Sequence, residues 1–103
     1  MVIHLATDHA GFQHKEAVKE YLEGEGLEVV DHGATRLVPD DDYPDYVAPA
    51  AVAVANDPDS MGIVFGFSGQ GEAMVANRIN GVRAVVYYGG SDDELILSRE
   101  HNA

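Results

Sequence analysis

The run Ser68-Gly69-Gln70-Gly71-Glu72 places a hydroxyl, two glycines and a carboxylate directly after the apolar stretch Met61–Phe67. Glycines at 69 and 71 let the backbone turn sharply and bring several N–H groups to one point, where the start of a helix adds partial positive charge. A carboxylate beside such an anion hole suits one kind of chemistry. It can take a proton from a carbon next to a carbonyl and return it one carbon along, while the N–H donors hold the enediolate formed in between. The same residues also serve as an ordinary strand-to-helix turn, with Glu72 a partner of the helix dipole and Ser68 a turn-stabilising hydroxyl. Two better-known motifs fail here: GxGxxG needs glycine where Met74 stands, and GxSxG needs glycine where Gln70 stands.

Asp8-His9 follows a second apolar run, Val2–Thr7, and His101-Asn102 follows a helical pattern near the end of the chain. A cationic imidazole is favoured at such a helix end. His4 within a strand, His14 on a helix flank and His32 closing a strand are expected to pack or to meet solvent. Cysteine is absent, so disulfides, thiolate metal sites and thiol nucleophiles are excluded, and a catalytic base must be a carboxylate or a histidine. HExxH and clustered His/carboxylate spacings are missing as well, so no metal site is expected. Tyr43, in Asp42-Tyr43-Pro44, reads as a loop anchor that could line a pocket.

The elements that would position these groups alternate. Val2–Thr7 reads as a strand, and Val18, Tyr21 and Leu22 recur at helical spacing after Gly11, with Lys15, Glu16, Lys19 and Glu20 on other faces. Gly24-Glu25-Gly26 is a stop, and residues 27–30 form a second strand. A polar loop over 36–45 leads to Val47, Ala50, Ala51 and Val54, a helix whose regular part is expected to begin near Pro49. Met61–Phe67 has the pattern of a strand buried on both faces. A third helix over Glu72–Ile79, a fourth strand over Arg83–Tyr88 and a capping box, Ser91-Asp92-Asp93-Glu94, opening a fourth helix complete the series. The fold class expected is α/β: one Rossmann-like domain over 1–103 with a doubly wound parallel sheet in three α/β/α layers. In such sheets ligands lie beyond the carboxyl ends of the strands, which selects Asp8, His9 and the 68–72 turn.

Composition narrows the partners. Acidic residues outnumber Lys and Arg by 18 to 6, a net charge of −12, which would repel a phosphate backbone, so no nucleic acid is expected. A phosphorylated ligand would have to be held by local donors. No apolar run approaches the length that crosses a bilayer, and the N-terminus begins directly as a strand, so no membrane contact and a cytoplasmic location are expected.

Five blocks in order, TDHAGF at 7–12, DYPDY at 42–46, GFSGQGEAMVANR at 66–78, GVRA at 81–84 and LSREHN at 97–102, resemble the ribose-5-phosphate isomerase B and galactose-6-phosphate isomerase family. Many members of that family carry a cysteine base at the position of Gly66; a mycobacterial-like subtype has glycine there and glutamate at the position of Glu72, the pattern found here. The resemblance implies a cofactor-free aldose–ketose isomerase that interconverts ribose 5-phosphate and ribulose 5-phosphate, with Glu72 as base. It implies that Asp8 and His9 contact the sugar phosphate, His9 toward the phosphate, and that Tyr43 lines the pocket. Ser68 and the amides of Gly69, Gln70 and Gly71 would bind the enediolate, and His101, with Asn102 beside it, would open the furanose ring. A homo-oligomer, dimer or tetramer, with a site shared between subunits is implied too. Family members continue past the REHN motif through a strand and a helix bearing phosphate-holding arginines, so the chain is expected to be a C-terminally shortened relative. An alternative is a non-catalytic sugar-phosphate-binding or assembly module derived from the family.

Overall fold

The computed structural model describes residues 1–34, 44–89, 93, 96 and 97. Its centre is a parallel sheet of three strands, β1 (Val2–Thr7), β2 (Glu28–Asp31) and β3 (Ser60–Phe65), in the order β2-β1-β3. β1 is the middle strand, and every residue of it after Val2 is buried. Leu5 pairs with Asp31 on one side and Ile63 on the other, while His4 pairs with Val30 and Gly62. Because paired residues of parallel strands point to the same face, this register assigns the helices. Helix α1 (Phe12–Gly24) lies on the Leu5 face, where Lys15 reaches Asp31. Helix α2 (Pro44–Ala55) lies on the His4 face, where Val54 comes so close that a Cβ at Gly62 would sit 3.0 Å from it. Helix α3 (Gln70–Asn77) packs against α2. The result is the doubly wound, three-layer α/β arrangement read from the sequence.

A core of Val47, Ala51 and Ala76, bordered by Val64, Val75, Ile79, Val82 and Ala84, fills the space between α2, α3 and β3. Alanines on facing turns let the two helices approach closely. Pro49 lies inside α2 instead of marking its start. The helix opens at Pro44, where a missing amide costs nothing, and it continues through the exposed Pro49 because Val47, Ala50 and Ala51 anchor its buried face.

Three other expectations are corrected. β3 is not buried on both faces: Met61 and Ile63 are 38% and 39% exposed. The second correction is that residues 83–88 form no strand and do not pair with β3. At Ala84 the backbone is met by a side chain instead. The Asn77 amide donates to the Ala84 carbonyl at 3.0 Å and accepts from the Ala84 N–H at 2.8 Å, which holds this segment against α3. Third, Lys15 is fully buried and Tyr21 exposed, so the inward face of α1 is centred differently from the apolar spacing. The proposed capping box falls mostly outside the described residues; Asp93, Ile96 and Leu97 are helical.

Helix α1 meets the sheet through a glycine. A Cβ at Gly11 would stand 2.5 Å from Phe65 Cβ and 2.6 Å from Thr7 Oγ1, inside any tolerable contact. Gly11→Ala is therefore expected to cost about 1–3 kcal/mol, the range for overpacking a filled interior. Urea unfolding of the two proteins measures it, and equal midpoints would refute the packing argument.

Beneath α2, His4 Nδ1 and His32 Nε2 lie 2.9 Å apart, their rings tilted at 40°. One ring donates and the other accepts, so at least one must be neutral. Burial, and then the charge of His4, hold the His32 pKa below the ordinary imidazole value, against the opposing pull of Asp31. A depressed folded-state pKa means that the unfolded chain takes up the proton first as pH falls. The stabilisation is thus complete above the ordinary histidine pKa of about 6.5 and is lost as pH drops through the folded value. His32→Gln is expected to flatten the fall of melting temperature between about pH 7 and 5. An unchanged slope would count against the pair as its source.

Candidate active site

The strand order reverses at β1: the chain passes to one side to make β2 and crosses to the other to make β3. The crevice beyond β1 and β3 is where an open α/β sheet holds its ligand. The structure brings four of the expected residues together there. Asp8, Ser68, Gly71 and Glu72, with Phe67, line a cleft of about 310 Å³.

Asp8 leaves β1 in extended backbone and is buried; its carboxylate accepts the Ala10 N–H at 2.9 Å, which starts the 3-10 turn His9–Gly11. His9 is exposed on that turn and is engaged in an interaction of its own. On the opposite wall, Gly69 takes φ 78°, a left-handed conformation that glycine adopts without strain, and α3 begins at the next residue. The helix therefore opens two residues earlier than the spacing indicated, and Glu72 is its third residue rather than its first. The amides of an opening helical turn have no partner within the helix. That of Gln70 meets Ser68 Oγ at 3.2 Å, so the Ser68 hydroxyl stabilises the turn here.

Glu72 is 5% exposed, and its carboxylate is turned back over Gly66. A Cβ on Gly66 would collide with the carboxyl carbon and both oxygens. The carboxylate thus occupies the room that a side chain at 66 would need. The two positions are physically exclusive, which explains why glycine stands at one where glutamate stands at the other.

Gln70 is placed differently from its expected role. Its side chain donates to the Tyr88 hydroxyl at 2.8 Å and lines a separate open groove of about 580 Å³ between α3 and residues 84 and 86. Only its amide belongs to the turn. Tyr43, His101 and Asn102 lie outside the described residues. Phe67, 97% exposed at the rim of the cleft, was not singled out in the sequence, where it reads as the end of an apolar strand. Among the described residues no group of three His, Cys, Asp or Glu side chains could hold a metal ion.

The same arrangement of sheet and helices is found in known proteins. The ribose/galactose isomerase family model matches residues 3–103, and the chain belongs to that family. Within it, the chain is 42% identical over 102 residues to ribose-5-phosphate isomerase B of Mycolicibacterium paratuberculosis, covering 99% of this chain and 63% of that one. The enzyme of Mycobacterium tuberculosis is also 42% identical, with 62% of its length covered. The chain therefore spans somewhat less than two thirds of these relatives. The crystal structure of ribose-5-phosphate isomerase B from Mycoplasma genitalium with bound ribulose 5-phosphate superposes with a TM-score of 0.89 at 33% identity, over 98% of this chain and 66% of that one. The Thermotoga maritima enzyme gives 0.88 at 39%, over 98% and 68%.

Proposed function

We propose that the chain acts as an aldose–ketose isomerase on ribose 5-phosphate and ribulose 5-phosphate, with Glu72 as the base. The observation that carries this reading is the buried Glu72 carboxylate, set over Gly66 in the same cleft as Asp8 and the first turn of α3. The names of the relatives support it, and the Mycoplasma genitalium enzyme holds ribulose 5-phosphate. In the ring-opened sugar, Glu72 takes the proton from C2 and delivers it to C1. The charge that develops on the enediolate oxygens is met by the Gly69 and Gly71 amides of the turn, that of Gln70 being held by Ser68 Oγ. Asp8 orients the sugar hydroxyls, and His9 reaches toward the phosphate. Tyr43 lines the pocket, His101 opens the furanose with Asn102 beside it, and a second copy of the chain completes the site in a homo-oligomer.

A second reading, a sugar-phosphate-binding or assembly module without turnover, is favoured by one observation. The described lining of the cleft contains no arginine or lysine to hold a phosphate. Incubation with ribose 5-phosphate in D2O, followed by NMR, separates the two. The isomerase makes ribulose 5-phosphate carrying deuterium at C1. Thermal stabilisation by the sugar phosphate with no product establishes the binding module instead.

A further inference from the structure

Thr7, the last residue of β1, is completely buried, and its hydroxyl lies 2.9 Å from the carbonyl oxygen of Asp8 and 3.1 Å from that of Phe65. Phe65 is the last residue of β3 and the ladder partner of Thr7. A single O–H is therefore shared between the points where the two central strands give way to the loops that wall the cleft. Asp8 follows at once on one side, and Phe67, Ser68, Gly71 and Glu72 follow within seven residues on the other. Gly11 closes this spot from the α1 side, since a Cβ there would press on both Thr7 Oγ1 and Phe65. A hydroxyl kept dry in this way makes stronger bonds than one in water, and its removal leaves two strand-end carbonyls short of a donor.

We propose that Thr7 is a positioning residue for the proposed isomerase: its hydroxyl clasps the ends of β1 and β3 and so sets the distance between Asp8 and the turn that carries Glu72. Proton transfer demands this of the scaffold, because a displacement of about 1 Å between base and carbon costs roughly 100-fold in rate. Thr7 is fully buried and does not line the cleft. Its effect is to fix the two walls relative to each other.

The inference rests on the isomerase reading and is tested with Thr7→Val, which keeps the shape, and Thr7→Ser, which keeps the hydroxyl. At a temperature where all three proteins are folded, Thr7→Val is expected to lose about 10-fold or more in kcat with KM within about 2-fold, and Thr7→Ser to recover most of the loss. Amide hydrogen exchange supplies a readout independent of turnover: residues 66–72 exchange faster in Thr7→Val, are restored in Thr7→Ser, and α1 is unchanged in both. Parental kcat in Thr7→Val, or a Thr7→Ser protein as impaired as Thr7→Val, overturns the proposal. Should Thr7→Val not fold, Thr7→Ala removes the hydroxyl without bulk at the β-branch; failure of that variant to fold too assigns Thr7 to folding alone and likewise overturns it. If the parent itself makes no ribulose 5-phosphate, the isomerase reading fails visibly in the parent. The exchange comparison then decides the clasp, and uniform exchange across the variants overturns it.

Discussion

Glu72→Gln is expected to lower kcat for ribose 5-phosphate isomerisation by at least ~10², the usual consequence of losing a general base, with the fold intact. Glutamine preserves the volume of the side chain and its place in the first turn of α3. It also removes a buried charge, so the melting temperature is not expected to fall. KM should change little, because the amides and Asp8 that would hold the sugar are untouched. Gly66→Ala attacks the same carboxylate from the other side. The new Cβ would overlap the carboxyl group, so Glu72 must move while keeping its charge. Loss of turnover in both variants ties the chemistry to a carboxylate at that place. Near-normal turnover of Glu72→Gln would remove Glu72 as the base.

Which parts of this arrangement could be read from residues follows from what each pattern encodes. β1 and the stop after α1 are written locally, by an apolar run and by glycines. The meeting of Asp8 with the 68–72 turn is legible for a topological reason, since parallel strands bring their carboxyl ends to one edge. The apolar run at 61–67 misled because it reports how apolar a strand is, not whether a neighbour covers it. Met61 and Ile63 remain partly exposed although they belong to that run. Thr7 gave no signal, because a threonine ending a strand is unremarkable until its hydroxyl is seen against two carbonyls. Lys15 was misplaced for the opposite reason: a count of apolar positions assigns every lysine to solvent.

Lys15 carries the second large effect. Its ammonium is wholly buried, 2.7 Å from Asp31 Oδ2, 2.6 Å from the Ala34 carbonyl and 2.9 Å from Glu16, with the Phe12 ring 5.3 Å away. It thereby joins α1 to the end of β2 and to the turn that follows. Lys15→Met keeps the stem but takes the nearest cation from Asp31 and the ammonium donor from the Ala34 carbonyl. The expected loss is about 3 kcal/mol, the low end for breaking a buried pair, because Lys19 still faces Asp31 at 3.3 Å. Burial alone would raise the Asp31 pKa, but hydrogen bonds from Lys15, the Gly33 amide and Lys19 outweigh it and hold the value below the usual carboxylate range. A depressed carboxylate stabilises the fold above its ordinary pKa, and that stabilisation is lost as pH falls through the folded value. Urea midpoints should therefore drop on acidification of the parent below about pH 4, and less steeply in Lys15→Met. In the double variant Lys15→Met/Asp31→Asn, part of the loss should return, since the Asp31 charge that has lost its nearest partner is removed as well. Additive losses in that cycle, or a Lys15→Met protein as stable as the parent, would mean that the pair does not hold α1 to the sheet.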